Sequence, residues 1–392
     1  MAGFGSSQDL RRSRDDDEEA KVEFVELFFD LVFVFAVTQI SHFLLARLTL
    51  VGIVQSAFLL LAIWWVWVYT SWVTNWMDPR RGSVKTLLFV LMAAGLVLSG
   101  SLPEAFDERG LPFAAAYVFM QVGRSLFMLW ALRHHSADNF RNFQRISAWL
   151  AVSGIFWIAG AIAGDGTRFA LWIAALGIEY AGPAFRFRTP GIGASSTRDW
   201  DVDGGHMAER SALFIIIALG ESVLVTGATF AQLEWGGAVV GAFVASFLGT
   251  VAMWWLYFAI GAEKARHKIE HASDPGRIAR VTYTYMPVVL IAGIVVAAVA
   301  DELVLAHPVG HHAEWPAILT IVGGPALYVA GNMVFKRLSF GSLPLSHMVG
   351  LALFAVLAFA APLLEPLPVS ALATAILIAV AVWENLSLRP SD

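Results

Sequence analysis

Twelve separate apolar runs divide this chain, at about 23–46, 54–76, 84–102, 112–133, 143–163, 168–187, 207–229, 236–261, 280–301, 316–336, 344–363 and 367–387. Each is close to the twenty or so residues that a helix needs to cross the hydrocarbon core of a bilayer. Inside hydrocarbon every backbone N–H and C=O must be satisfied within the protein, so a chain of such runs folds as helices. Only 15% of the residues are charged and 58% are hydrophobic, whereas a soluble domain carries about 25% charged residues. The expected fold is therefore all-α, a polytopic membrane protein of about twelve transmembrane helices. The chain has no cysteine, which excludes disulfides, thiolate metal sites and a cysteine nucleophile.

Charge placement orients the spans. With the N-terminus inside, 22 of the 26 Lys and Arg fall in inner segments, and only Arg47, Arg109 and Arg168 fall in outer ones. This asymmetry supports the span count and predicts that both termini are cytoplasmic. The basic residues are dispersed among short loops and the net charge is −5, so no nucleic-acid partner is expected. Residues 1–21 hold the run Asp15, Asp16, Asp17, Glu18 and Glu19. They read as a disordered acidic cytoplasmic tail, because no apolar stretch of signal-peptide length precedes a small-residue cleavage site.

Residues 188–206 contain Pro190, Gly191, Gly193, Ser195, Ser196, Gly204 and Gly205. They read as a flexible cytoplasmic linker between two six-helix halves, 22–187 and 207–388. The halves resemble each other. Glu26 falls on Glu209 at an offset of 183, and Glu179 on Glu384 at an offset of 205. Trp64, Trp65, Trp67 and Tyr69 correspond to Trp254, Trp255 and Tyr257, and Gly123-Arg124 to Gly331-Asn332. An even number of spans per repeat makes the repeats parallel, related by an axis along the membrane normal.

Polar residues inside the spans are the candidate site, because an ionisable group in hydrocarbon is costly and is usually retained for use. In the stretch ELFFDLVFVFAVTQISH, Glu26 and Asp30 share a helix face. Glu26 suits an interfacial cap at a helix start. Asp30, one turn deeper, reads either as half of a structural ion pair or as a titratable, cation-binding carboxylate. The related stretch ERSALFIIIALGES carries Glu209, Arg210 and Glu221. Arg210 and Glu221 share a face but stand about 16 Å apart along the axis, too far to pair. Gly220 and Gly227 beside Glu221 would admit a close helix neighbour.

Arg124 lies in the middle of span four, and Asp30, Glu179 and Glu221 are its candidate partners. It serves either as a structural ion pair or as a fixed charge that tunes a proton site or binds an anion. Trp64, Trp67 and Tyr69 belong to a run of aromatic residues. The default for such a run is packing against lipid, and the alternative is a cage for an organic cation or a flat ligand. His206 and Glu209, with Glu26 and Asp30 brought near by pseudo-symmetry, form a weak candidate metal set. They lack the spacing of bundle di-iron sites and of zinc proteases. No cofactor is expected, and no catalytic motif stands in a credible context.

ELFFDLVFVFAVTQISH, the Trp-rich second span ending in Asn75, and HMAERSALFIIIALGES together resemble the bacterial low-temperature requirement protein A family, over residues 22 to 388. The resemblance implies an integral membrane protein with a role in growth in the cold. It also implies that Glu26, Asp30, Glu209 and Glu221 occupy family motif positions, and it implies no substrate.

The leading functional expectation is a secondary transporter of a small solute, hypothetically proton-coupled. Asp30 and Glu221 would titrate or bind the cation, with Arg124 tuning them, and the two halves would rock about a midplane site. One alternative is a membrane-embedded enzyme or cofactor protein acting on a lipid or quinone-like ligand. Another is a sensor of membrane state. The partners expected are the lipid bilayer and an unknown small solute or proton.

Overall fold

A computed structural model of the chain describes residues 9–12, 21–195, 203–259 and 282–387. The acidic run Asp15–Glu19, Ser196, and the basic residues Arg14, Arg198, Lys264, Arg266, Lys268, Arg277, Arg280 and Arg389 lie outside the described residues. The described residues are helical, with two isolated β-bridges, Arg11–Met77 and Thr189–Gly193, and no longer strand pairing among them. Twelve helices of eighteen residues or more follow in order: α1 (Phe24–Ala46), α2 (Leu50–Trp76), α3 (Gly82–Glu104), α4 (Gly110–Leu132), α5 (Ala137–Ile162), α6 (Asp165–Ala184), α7 (Gly204–Gln232), α8 (Gly237–Tyr257), α9 (Thr282–Ala306), α10 (Trp315–Ser339), α11 (Leu345–Leu363) and α12 (Pro366–Ser387). Eleven are long and apolar enough to cross a membrane. The expected twelfth span, α6, has the length but is more polar, since its 20 residues include Asp165, Arg168 and Glu179.

Local chemistry sets several helix ends. The Ser136 side chain accepts from Asn139 N at the start of α5, and the Asp203 side chain accepts from His206 N at 3.0 Å at the start of α7; both are ordinary N-terminal caps. Gly341 closes the helix of α10 with φ +81°, a conformation cheap only for glycine. Within α4, residues Phe119–Gly123 form a π-turn, a local unwinding that frequently accompanies function.

The chain divides into two compact units. One comprises residues 1–39 and 58–207, the other residues 40–57 and 208–392. In the first unit α3, α4, α5 and α6 pack in sequence, and bulky rings fill the interior. Phe58, Phe113, Trp157 and Trp172 are buried and in mutual ring contact, with Trp157 and Trp172 5.4 Å apart between centroids. Residues 9–12, expected to be part of a free tail, lie against this unit. Leu10 is buried, Arg12 N donates to Trp76 O at 2.9 Å, and Asp78 N donates to Leu10 O at 2.9 Å. Residues 188–195, expected to be flexible, are likewise tied down. The Arg145 guanidinium donates to Ile192 O at 3.0 Å, and Ser195 Oγ bonds Asn142 Oδ1 at 2.5 Å.

The second unit packs differently. Its tightest helix pair is α9 with α10, joined at small residues. A Cβ built on Gly293 would meet Tyr328 N at 2.7 Å, and one on Gly324 would meet Ala297 N at 2.6 Å. Small residues let backbones approach where lipid offers no hydrophobic drive to association. Gly220 and Gly227, expected to receive a close neighbour, do not: a Cβ at either meets nothing within 4 Å among the described residues.

Gly293→Ala should therefore destabilise, by about 1–3 kcal/mol for overpacking against an unyielding backbone. Gly177→Ala, where a Cβ meets nothing within 4 Å, should be neutral or stabilising through helix propensity. Thermal unfolding of the two variants in detergent checks the contrast.

Candidate functional site

In the first unit the deepest charges meet on α2, α4, α5 and α6. Arg124 is buried. Its Nη1 donates to Val66 O at 3.1 Å and to Thr70 Oγ1 at 2.8 Å. Its Nη2 donates to Gln121 Oε1, and its guanidinium lies 5.3 Å from the Tyr69 ring centroid. Gln121 sits in the π-turn one turn before Arg124, and its Nε2 donates onward to Glu179 Oε2 at 2.6 Å. The same Glu179 oxygen accepts from Tyr117 OH at 2.9 Å. The other oxygen, Oε1, accepts from Trp157 Nε1 at 3.0 Å and lies 2.6 Å from Ser153 Oγ. Of the three acids proposed as partners for Arg124, the structure brings Glu179 to it, with a neutral amide between them.

The contacts of Ser153 suit this carboxyl with or without a proton. Its hydroxyl is also 3.0 Å from Ala175 O, and a hydroxyl has one proton to give. When Glu179 is ionised, Ser153 donates to Oε1. When Glu179 carries a proton on Oε1, the acid donates to Ser153 Oγ, and Ser153 donates to Ala175 O. Tyr117, Gln121 and Trp157 keep their roles in both states, so neither leaves a buried polar group unsatisfied.

Asp30 is fully buried, and its Oδ1 accepts from Trp67 Nε1 at 2.8 Å. Trp64 stacks on Trp67 at 4.7 Å, and Trp65 stacks on Tyr180 at 3.9 Å. These three tryptophans are at most 1% exposed, so the default expectation of lipid-facing packing is wrong for them. For Trp67 the indole N–H explains the placement, because Asp30 Oδ1 meets its donor inside the bundle.

Glu26 is also fully buried, at the start of α1. It accepts from Arg12 Nη2 at 3.0 Å and from its neighbour Glu23 N at 3.0 Å, and meets His206 Nε2 at 3.1 Å. Asn75 fixes the imidazole. Its amide is locked against Asp203, with Nδ2 to Asp203 O at 2.8 Å and Asp203 N to Oδ1 at 3.0 Å. Nδ2 therefore faces His206 Nδ1, 3.2 Å away, as a donor. Nδ1 is the acceptor, and Nε2 carries the hydrogen given to Glu26. Arg12 Nη2 lies 3.2 Å from the same Nε2, which puts a fixed positive charge where a metal bound to His206 and Glu26 would stand. Glu209, the other weak metal candidate, is partly exposed and belongs to the second unit. Among the described residues no group of three or more His, Asp or Glu could hold a metal ion. In the loop after α2, burial pushes the Asp78 carboxyl up, but its hydrogen bonds to Arg80 outweigh this and hold it below the ordinary carboxylate range.

In the second unit Arg210 and Glu221 are both buried on α7. Sequence reasoning did not single out two further groups there. Lys336, counted as a loop charge, is buried within α10. Its Nζ donates to Leu256 O at 3.2 Å and to Glu384 Oε1 at 2.5 Å. His347 Nε2 lies beside this pair, 2.9 Å from Asn332 Oδ1 and 3.8 Å from Glu384 Oε2. The other group is Asp301 in the last two turns of α9, which faces Ser222 and Thr226 of α7. An acid closing the apolar run 280–301 is the signal that would have found Asp301. The Lys336–Glu384 pairing, across 48 residues, has no local signal.

Comparison with known proteins agrees with this architecture. Residues 21–382 match the bacterial low temperature requirement A protein family (LtrA). An uncharacterized protein, RA0937, of Rhizobium meliloti (strain 1021) is 43% identical over 377 residues, covering 96% of this chain and 92% of that protein. No solved structure matches the chain. With a family match over nearly its whole length and eleven helices fit to cross a bilayer, the chain belongs to the bacterial low temperature requirement A family and is an integral, multi-pass membrane protein.

Proposed function

We propose that this protein is a proton-coupled secondary transporter of a small solute in the bacterial inner membrane, with both termini cytoplasmic, and that Glu179 is its principal proton-carrying group. The observation that carries the reading is the Arg124–Gln121–Glu179 relay. A pair that serves only to hold helices together gains most from direct contact, where the cation keeps the acid ionised. Here Gln121 keeps the two apart, and Ser153 accommodates the acid with or without its proton. A carboxyl satisfied in both states, inside a membrane helix bundle, is suited to carry a proton during a transport cycle. Asp30 and Glu221 are the other intramembrane acids assigned to the cycle, with Trp64, Trp67 and Tyr69 lining the path in the first unit. The two halves are read as parallel repeats. In support, Glu179 and Glu384 each meet a polar side chain from the fourth helix of their own half, Gln121 in one and Lys336 in the other.

In this reading Glu26, His206 and Arg12 anchor the inner end of the first unit and do not carry protons. Three donors already meet the Glu26 carboxyl.

Inside-out membrane vesicles, energised and loaded with a pH-gradient dye, test the transport reading. Addition of solutes from a panel of inorganic cations, organic cations and amino acids should collapse the gradient for at least one solute. Glu179→Gln, which keeps the shape of the side chain, should abolish that response. The absence of any response across the panel, or an unchanged response in Glu179→Gln, would sink the proposal. Arg12→Ala should behave differently. Removing this cation from the buried Glu26 carboxyl should cost about 3–5 kcal/mol, seen as a lower unfolding temperature in detergent. Adding Glu26→Gln should recover much of that loss, because it removes the charge that Arg12 balanced.

A further inference from the structure

We infer that the second unit contains a binding site for a single sodium-sized monovalent cation, centred on Asp301. The inference does not rest on the transport reading. Asp301 lies on a helix of membrane-spanning length, yet it makes no ion pair with any basic side chain among the described residues. Its hydrogen bonds are weak. Ser222 Oγ and Thr226 Oγ1 both approach Oδ2 at 3.4 Å, well beyond the usual span of about 2.5–3.0 Å for an O–H···O bond. Ser222 is also shared with Thr250 Oγ1, 3.2 Å away. Asp301 is only partly exposed, and these long contacts leave its charge weakly compensated.

Beside Asp301 lies a cavity of about 30 Å³, lined among others by Ser246, Gly249, Thr250, Asp301, Ser370 and Thr374. That is room for about one water-sized particle. Its polar walls present oxygen lone pairs. Thr250 Oγ1 spends its proton on Ser246 O at 3.2 Å, and Thr374 Oγ1 spends its proton on Ala245 O at 3.0 Å. Both hydroxyl oxygens are left as acceptors. Ser246 Oγ is the second sign of a ligand. The residue is 3% exposed and its hydroxyl bears on the Asp301 carboxyl as Ser222 and Thr226 do, but it closes no hydrogen bond of ordinary length.

The donor set selects the ion. Carboxylate and hydroxyl oxygens are hard ligands that suit alkali and alkaline-earth cations. One carboxylate balances one charge, so a divalent ion would leave an excess charge in a low-dielectric setting. A small cavity favours sodium over potassium and over any hydrated ion. The site is built from four helices, α7, α8, α9 and α12, so an ion there would tie them together.

The test uses the full chain in detergent, with sodium replaced stepwise by potassium or choline at constant ionic strength. An ion that binds the folded state raises the unfolding temperature saturably. We expect sodium to do so, potassium to do so less, and choline not at all, with one radiolabelled sodium bound per chain. Asp301→Asn should lose both the stabilisation and the binding. Ser246→Ala should raise the half-saturating sodium concentration several-fold, and it decides the matter if Asp301→Asn does not fold. Equal stability in sodium and choline overturns the site. So does stabilisation by acid without any sodium effect, which would mean a protonated carboxyl. A sodium response unchanged in the variants overturns it as well, since the ion would then bind elsewhere. Equal responses to sodium and potassium overturn the assignment of size.

Discussion

The structure depends on one constraint: a charge placed in hydrocarbon must find its partners within the protein. The chain meets it in three ways. Lys336 and Glu384 neutralise each other directly. Arg124 is held by a backbone carbonyl, a hydroxyl, an amide and an aromatic face, and makes no ion pair among the described residues. Glu179 is surrounded by four neutral groups. Direct pairing is the most static of these arrangements, because separating the partners strands both. Neutral partners leave the charge state open, which separates Glu179 from the salt-bridged Glu384.

The π-turn in α4 shows how a local feature of the backbone serves this constraint. An extra residue per turn over Phe119–Gly123 breaks the regular helical spacing of the residues on either side. Tyr117 before it, Gln121 within it and Arg124 after it all reach the same buried network. The cost is a weakened stretch of helix in the middle of a span, and the hydrogen bonds of Tyr117, Gln121 and Arg124 compensate locally.

Hydropathy made the spans legible, since eleven of twelve apolar runs are helices fit to cross a membrane. The exception, α6, carries Asp165 and Arg168 as well as Glu179, the acid that Gln121 links to Arg124. Asp30, Arg124, Glu179 and Glu221 were legible as intramembrane charges, and all four are buried. Their partners were not. Gln121 and Ser153 are unremarkable in sequence, and their importance comes from helices that meet 58 and 26 residues apart along the chain. Arg12 was read as one more inner positive charge, because a polar tail gives no hint that Leu10 is buried and draws its neighbour onto Glu26. Glycine proved an unreliable guide by itself. Gly293 and Gly324 mark a close helix contact and Gly220 does not, since spacing on one helix says nothing about what lies opposite.

The two carboxyls at the centre of these proposals differ in the kind of atom that faces them, and this difference assigns them different ions. Glu179 is met by the N–H groups of Gln121 and Trp157 as well as by hydroxyls. An N–H has no lone pair to give a metal ion, and its hydrogen repels one. Such a shell admits a proton, which resides on the carboxyl itself, and excludes sodium. Asp301 is met by hydroxyls alone, at long range and beside a small cavity. A hydroxyl can turn either its hydrogen or its lone pairs toward the site, so it can solvate the bare acid or coordinate a cation. With one acid in each compact unit, a protein of this design can answer to proton and sodium at separate places. The acids alone would not separate the two ions, because both are carboxyls on membrane helices. The neighbours one bond away make the distinction.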